Sequence, residues 1–222
     1  LKTPISSIKL SAQLLNDGRV GQINEDQKEL LNSIEDDSDR LLKITGELLN
    51  MTQLETGKIQ LKVMPTPPKL IVDQALQAVQ FQANQRNISL NLKLDPMLPS
   101  IQADAEKSTW VLINFLTNAI KFSSEKNEID ISVNKRPDAV SFTVLDHGKG
   151  IDERYLPKIF DRYFKVPGSH ERNGSGLGLA ISKEFIEAQD GKIWVESEVG
   201  TGSTFGFSLK IAEDNHSIAA LN

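Results

Sequence analysis

A ladder of positions spaced alternately by three and four residues limits what the start of this chain can become. Leu31, Ile34, Ser38, Leu41, Thr45, Leu48 and Thr52 occupy it, flanked by Leu30, Leu42, Ile44, Leu49 and Met51. Residues at these steps share one face of an α-helix, so the spacing predicts one long helix that ends at Gly57. Asn24 and Gln27 stand at capping-box spacing before it, with Glu25 and Asp26 at the positive end of its dipole. Upstream, Ile5, Ile8, Ala12 and Leu15, with Leu10 and Leu14 beside them, mark a shorter amphipathic helix. Pro4 is tolerated in its first turn, and Asp17-Gly18-Arg19-Val20-Gly21 stops it. The apolar face of the long helix is wider than one partner helix covers. A four-helix bundle made by two chains is the simplest solution, and packing against the rest of its own chain is the alternative.

Beyond Gly57 the period changes. Residues 58–63 alternate as a short strand, and Met64-Pro65-Thr66-Pro67-Pro68 reads as a proline-rich linker. Helices are then predicted over residues 69–86, 105–121 and 176–189, and strands over 88–94, 128–135, 139–146, 191–197 and 203–210. Two adjacent hairpin-like strand pairs point to a largely antiparallel sheet with helices on one face. The expectation is an all-α helical hairpin at 1–57, a strand and linker at 58–68, an α+β two-layer sandwich at 69–212 and a flexible tail at 213–222. Residues 150–174, with Pro157, Pro167, Gly168 and scattered aromatics, are too long for an ordinary loop and read as a lid.

Composition removes several classes of function. No cysteine is present, which excludes disulfides, thiolate metal sites and cysteine nucleophiles. The formal net charge of -5 argues against a general nucleic-acid binder, which favours a basic face. No stretch approaches the roughly 18 consecutive apolar residues of a membrane-spanning helix. The opening Leu1-Lys2-Thr3-Pro4 has neither an initiator Met nor a signal peptide, so the chain is expected to be a piece of something longer.

Three segments carry chemistry. Gly174-Ser175-Gly176-Leu177-Gly178-Leu179 opens a helix, where close-approaching N–H groups and the helix N-terminus suit a phosphate. It lacks the Gly-Lys-Ser/Thr of a Walker loop, and it follows a long loop rather than the strand of a dinucleotide fingerprint. Asp146-His147-Gly148-Lys149-Gly150 ends a strand, where a carboxylate can accept a hydrogen bond from an exocyclic amine. Asn114, Asn118 and Lys121 project from one helix face, two amide oxygens suited to hydrated Mg²⁺ beside a cation suited to phosphate. Taken singly, these segments also fit a mobile hinge, a plain turn and a solvated face.

In this order around one lid, the segments resemble the catalytic core of sensor histidine kinases. Asn114-Phe115-Leu116-Thr117-Asn118-Ala119-Ile120-Lys121-Phe122 is similar to the family's N box, and the segment Asp146 to Gly150 to its G1 box. Ile159-Phe160-Asp161-Arg162-Tyr163-Phe164-Lys165 is similar to the F box, and Gly174-x-Gly176-x-Gly178 to the G2 box. Gly200-Thr201-Gly202-Ser203-Thr204-Phe205 is similar to the last glycine-rich turn. Leu1-Lys2-Thr3-Pro4 matches the end of the phosphoacceptor box, which would place the acceptor His two residues before Leu1.

The resemblance implies a Bergerat-type site for ATP and Mg²⁺. Asp146 would bind the adenine amino group, Gly150 would give the base room, and Phe122 would lie near base or ribose. Asn118 would carry Mg²⁺ with Asn114 assisting, and Lys121 would meet the phosphates. Arg162 and Lys165 would reach the γ-phosphate, and Phe160 and Phe164 would anchor the lid. Gly148, Ile151, Gly174, Gly176, Leu177, Gly178 and Thr204 complete the implied nucleotide-binding set. Thr3, one helical turn after the acceptor position, would help dephosphorylate the partner; an exposed helix residue is its other reading. Also implied are a homodimer through residues 1–56, a response-regulator receiver domain as partner, and a cytoplasmic position in a protein attached to the inner or plasma membrane by upstream regions. His147, His170 and His216 are poor substitutes for the acceptor. An ATPase of the related gyrase, mismatch-repair and chaperone group would need a Glu as base where this chain has Asn114. A nucleotide-binding dimerisation scaffold without transfer is the remaining alternative.

Overall fold

A computed structural model describes residues 2–55, 60–123, 127–167 and 174–213, the side chains of residues 53–55 excepted. Leu1, Gly57, Lys58, Ile59, Gly168, His170, His216 and the tail from residue 214 lie outside them. The chain divides into two compact units between Ile59 and Gln60.

The first unit is a helical hairpin, α1 (Lys2–Asn16) and α2 (Glu25–Glu55). The capping box forms as spaced: Gln27 N–H donates to Asn24 Oδ1 at 2.8 Å, and Asn24 N–H donates to Gln27 Oε1 at 2.9 Å. Lys9 Nζ meets Asp39 Oδ1 at 2.6 Å and Asn16 Nδ2 donates to Asn32 at 2.8 Å, which pins the register of the two helices. Ala12 and Met51 are buried, but Ile8, Leu10, Leu30, Leu41, Leu48 and Leu49 remain between 49% and 66% exposed. Within one chain, the hairpin leaves much of its apolar face open.

The second unit is a sheet covered by helices. It contains β1 (Met64–Thr66), α3 (Pro68–Gln85), β2 (Ser89–Leu94), β3 (Ile101–Ala103), α4 (Ala105–Phe122), β4 (Glu128–Lys135) and β5 (Ala139–Asp146). A 3₁₀ helix (Glu153–Lys158), α5 (Gly178–Glu187), β6 (Lys192–Glu198) and β7 (Gly202–Lys210) complete it. The five-stranded sheet runs β2-β4-β5-β7-β6. Its pairs are antiparallel except β2 with β4, which are parallel and joined by a crossover through α4. The sheet is therefore mixed.

The proline-rich segment departs from its expected role. Residues 60–63 form no strand, and the strand lies instead at Met64–Thr66, inside the predicted linker, antiparallel to Ile101–Ala103. In a two-stranded ribbon Pro65 forgoes only one donor. Pro68 opens α3, where a helix has no use for that donor. Thr66 Oγ1 meets the Met64 carbonyl at 2.9 Å and the Ala103 carbonyl at 3.1 Å, fastening the ribbon. Strands of three residues are too short to show a period. The predicted lid likewise holds an ordered turn, the 3₁₀ helix, whose first N–H groups are capped by Asp152.

Alternation along the sheet places Val140, Phe142 and Val144 opposite Leu209, Phe207 and Phe205 on the covered face. Phe142 and Phe207 stack at 4.6 Å, and the Phe115 ring of α4 meets Phe205 at 5.5 Å and Phe207 at 6.1 Å. Asp104 caps α4 by accepting from Lys107 N–H at 3.0 Å, and its other oxygen accepts from Lys62 N–H at 2.9 Å. Phe207→Ala, at the centre of this cluster, should cost about 3–5 kcal/mol in urea unfolding of the second unit.

Candidate functional site

β5 carries Asp146 to the end of the covered face. Because Val140, Phe142, Val144 and Asp146 alternate on one side, the carboxylate is 4% exposed. Burial pushes its pKa up from 3.8, while N–H donation from Gly148 and Ser203 and the nearby His147 draw it down. The Gly148 donor lies at 2.8 Å. A carboxylate held this way keeps lone pairs for a further N–H donor.

Glycines admit backbone to this point. A Cβ at position 148 would stand 2.6 Å from the Phe122 carbonyl oxygen and 2.7 Å from Asp146 Oδ1. Gly202 has φ +129° and lies against the Asp146 carbonyl, so it answers to both conformation and space. Gly150 packs on the Glu198 carbonyl, and Ile151 N–H donates to Ser197 Oγ at 2.8 Å. Ser197 Oγ also donates to the Gly202 carbonyl at 2.8 Å and meets Ser203 Oγ at 2.9 Å. One serine hydroxyl thus ties the turn after β5 to the β6–β7 turn.

Ser203, not Thr204, faces Asp146 across the strand pair. Thr204 pairs with Leu145 and Glu196, on the sheet face opposite to that of Asp146. Counting back by two from the buried Phe205 identifies Ser203 in the sequence itself.

α4 brings the amide-rich face beside this turn. Asn114 is buried, and its Nδ2 donates to Ser182 Oγ at 2.9 Å. Ser182 Oγ in turn donates to the Gly178 carbonyl at 2.9 Å. A Cβ at position 178 would stand 2.7 Å from Asn114 Oδ1, so the glycine lets α5 begin directly against this amide. Asn118 and Lys121 are half-buried, and Phe122 is 38% exposed. Lys121 Nζ lies 5.1 Å and Lys149 Nζ 5.5 Å from the Phe122 ring centroid. Ser182 and Lys149 escaped the sequence reading. Ser182 carries its signal as the i+4 partner of Gly178, and Lys149 as the lone cation inside the glycine turn.

The lid is anchored at both its described ends. Asp152 accepts from Arg154 N–H at 3.0 Å and holds Arg154 Nη2 at 2.8 Å, and these bonds bring its pKa down to about 2. Phe164 packs on Tyr155 with centroids 6.1 Å apart, and Phe160 is half-buried. Tyr163 N–H donates to the Gly176 carbonyl at 2.9 Å. Arg162 Nη2 lies 3.4 Å from Glu184 Oε1 of α5, while Lys165 is exposed. Gly174 is exposed, and Leu177 is buried. Thr3 belongs to the first unit, exposed in the first turn of α1.

The raised pKa of Asp146 makes stability depend on pH. The folded state holds this proton more tightly than the unfolded chain, so its contribution is present below about pH 4 and fades as pH rises through the raised folded value. Urea midpoints of the native chain and Asp146→Asn between about pH 4 and 7 should therefore diverge, the native chain losing ground as pH rises.

The same two units are matched by known proteins. Residues 1–57 match the His Kinase A (phospho-acceptor) domain, and residues 103–213 match the histidine kinase-, DNA gyrase B-, and HSP90-like ATPase family. The chain is 32% identical over 209 residues to the circadian input-output histidine kinase CikA of Synechococcus elongatus, across 92% of this chain and 28% of that protein. It is 34% identical over 213 residues to the sensor protein KdpD of Clostridium acetobutylicum, across 94% of this chain and 23% of that protein. Among solved structures, full-length ShkA in complex with AMPPNP aligns with TM-score 0.77 and 25% identity, covering 95% of this chain and 44% of that one. The Acinetobacter baumannii histidine kinase AdeS shares the fold at TM-score 0.67 and 22% identity, covering 95% and 96%. With a helical phosphoacceptor-type hairpin followed by this ATPase unit, the chain belongs to the sensor histidine kinase family.

Proposed function

We propose that the second unit binds Mg-ATP at Asp146 and donates its γ-phosphoryl group to a histidine just ahead of Leu1, for relay to an aspartate of a response-regulator receiver domain. The observation that carries this reading is the buried Asp146 carboxylate, set against Gly148, whose other side meets the Phe122 carbonyl at the end of α4, with Lys121 and Lys149 beside the Phe122 ring. Asp146 would accept from the adenine amino group, with Ser203 beside it, and Phe122 would lie against base or ribose. Lys121 and Lys149 would meet the phosphates, and Arg162 and Lys165 would approach the γ-phosphate from the lid.

The donor set fits Mg²⁺ carried by the nucleotide. Asn118 offers a neutral amide oxygen, and among the described residues no three His, Cys, Asp or Glu side chains gather into a protein cage. Bound Mg²⁺ would offset the triphosphate charge. With its Nδ2 on Ser182, Asn114 would hold the glycine loop against α4 while assisting Asn118. In the transfer, an imidazole nitrogen forms a bond to the γ-phosphorus as the bond to the bridging oxygen breaks, and ADP leaves with that electron pair. The N–P bond then breaks as a receiver carboxylate oxygen forms its bond to phosphorus. Positioning and charge neutralisation are what such a transfer asks of a protein. Asn114 cannot take a proton from water, which favours transfer over hydrolysis.

In this reading Thr3, on the surface of α1's first turn, would assist dephosphorylation, and the hairpin of residues 1–56 would dimerise through its exposed leucines and isoleucines. The chain covers 28% and 23% of the two relatives named above; a cytoplasmic position in a membrane-attached protein is part of the same proposal. No helix among the described residues is long and apolar enough to cross a membrane.

Two experiments test this. A chain extended by His-Glu ahead of Leu1 should take acid-labile label from γ-labelled ATP, and Asp146→Asn should abolish both the label and calorimetric ATP binding. No label in the extended native chain would remove the kinase reading. Light scattering at micromolar concentration should give a dimer mass, reduced to the monomer by Leu41→Glu with Leu48→Glu; a monomeric native chain would remove the bundle.

A further inference from the structure

α3 stops where Asn87 adopts a left-handed backbone, φ +53°. Asn87 N–H donates to the Asn84 carbonyl at 3.0 Å and Ile88 N–H to the Ala83 carbonyl at 2.9 Å, with Ile88 buried. That stop leaves Arg86 half-buried at the C-cap, directed at the end of α4. Arg86 Nη1 donates to the Ile120 carbonyl and, at 2.9 Å, to the Lys121 carbonyl. Its Nη2 donates to the Ser123 carbonyl at 3.2 Å. The last carbonyls of a helix have no partner within the helix, and a cation there also suits the dipole.

Phe122 stands among these three carbonyls. Its own carbonyl faces Gly148 so closely that no side chain fits between them, and its ring lies near Lys121 Nζ and Lys149 Nζ. The last turn of α4 is therefore gripped by the Arg86 fork and backed by the turn after β5.

We propose that Arg86 is a positioning residue for nucleotide binding: its guanidinium holds the end of α4 so that Lys121 and Phe122 keep their register with the Gly148 turn. The proposal rests on the reading of this site as one for ATP. Lysine has no planar fork and can reach fewer of the three carbonyls at once. Without the fork the carbonyls lose their partner and the turn that presents Lys121 and Phe122 is free to fray.

Calorimetric titration of the chain with Mg-ATP tests it, using Arg86→Gln, Arg86→Lys, Lys121→Ala, the double variant Arg86→Gln with Lys121→Ala, and Asp146→Asn. Val79→Ala, a cavity in the buried face of α3, serves as a stability control. Arg86→Gln should bind about ten-fold more weakly, the scale of one charge-assisted hydrogen bond, and Arg86→Lys should fall between it and the native chain. In the double variant the loss should be smaller than the product of the two single losses, because both act on the same turn. Val79→Ala should lower the melting temperature and leave affinity unchanged. Native affinity in Arg86→Gln overturns the proposal, as do multiplicative losses in the double variant or an equal loss in Val79→Ala. Should Arg86→Gln fail to fold, native affinity in Arg86→Lys overturns it in the same way. Full affinity in Asp146→Asn overturns the site reading itself, and this proposal with it.

Discussion

A carboxylate buried at the edge of an apolar layer is the constraint on which the second unit depends. Asp146 occupies a position that the alternation of β5 would otherwise give to a valine or phenylalanine. Such a charge is tolerated only where donors converge on it, and here Gly148 and Ser203 supply them. Gly148 must stay small to let Phe122 approach, Gly202 must yield to the Asp146 carbonyl, and Ser197 must hold the two turns together. The glycine-rich segments are thus one device, built to keep a polar group in an apolar wall.

The helices extend that device outward. α4 packs Phe115 against the aromatic stack of the sheet, which fixes its rotation, sets Asn114 against the start of α5 and leaves Lys121 at the Phe122 ring near Lys149. Asn114 and Ser182 then fasten α5 to α4, so the glycine loop and the amide face are joined by side chains rather than merely adjacent. At the far end of α4, Arg86 closes the helix from α3.

Strong periods made most of this legible in the sequence. β4 and β5 fall at the expected residues because an alternation of eight residues in each, bounded by polar turns, leaves little choice. The capping box of α2 was readable because it is local. What escaped was either short or distant. β1 and β3 have three residues each and no period, and prolines that resemble a linker serve there as a ribbon edge and a helix start. The parallel pairing of β2 with β4 depends on where α4 crosses, which no local pattern records. Motif similarity marks the β7 turn but leaves its facing to the pleat, which sets Ser203 rather than Thr204 on the face of Asp146. The side-chain bonds of Ser182 and Arg86 join elements far apart in the chain and could not be read from either alone.

In the dimer proposed above, the open apolar face of the hairpin ties the first unit to mass action. A unit completed only by a second copy folds in a bimolecular step, so its melting temperature rises with protein concentration. The second unit closes its core within one chain and has no such dependence. In that dimer, dilution alone would separate the two: it would loosen the helices of residues 2–55 while Asp146 and its surroundings stay folded.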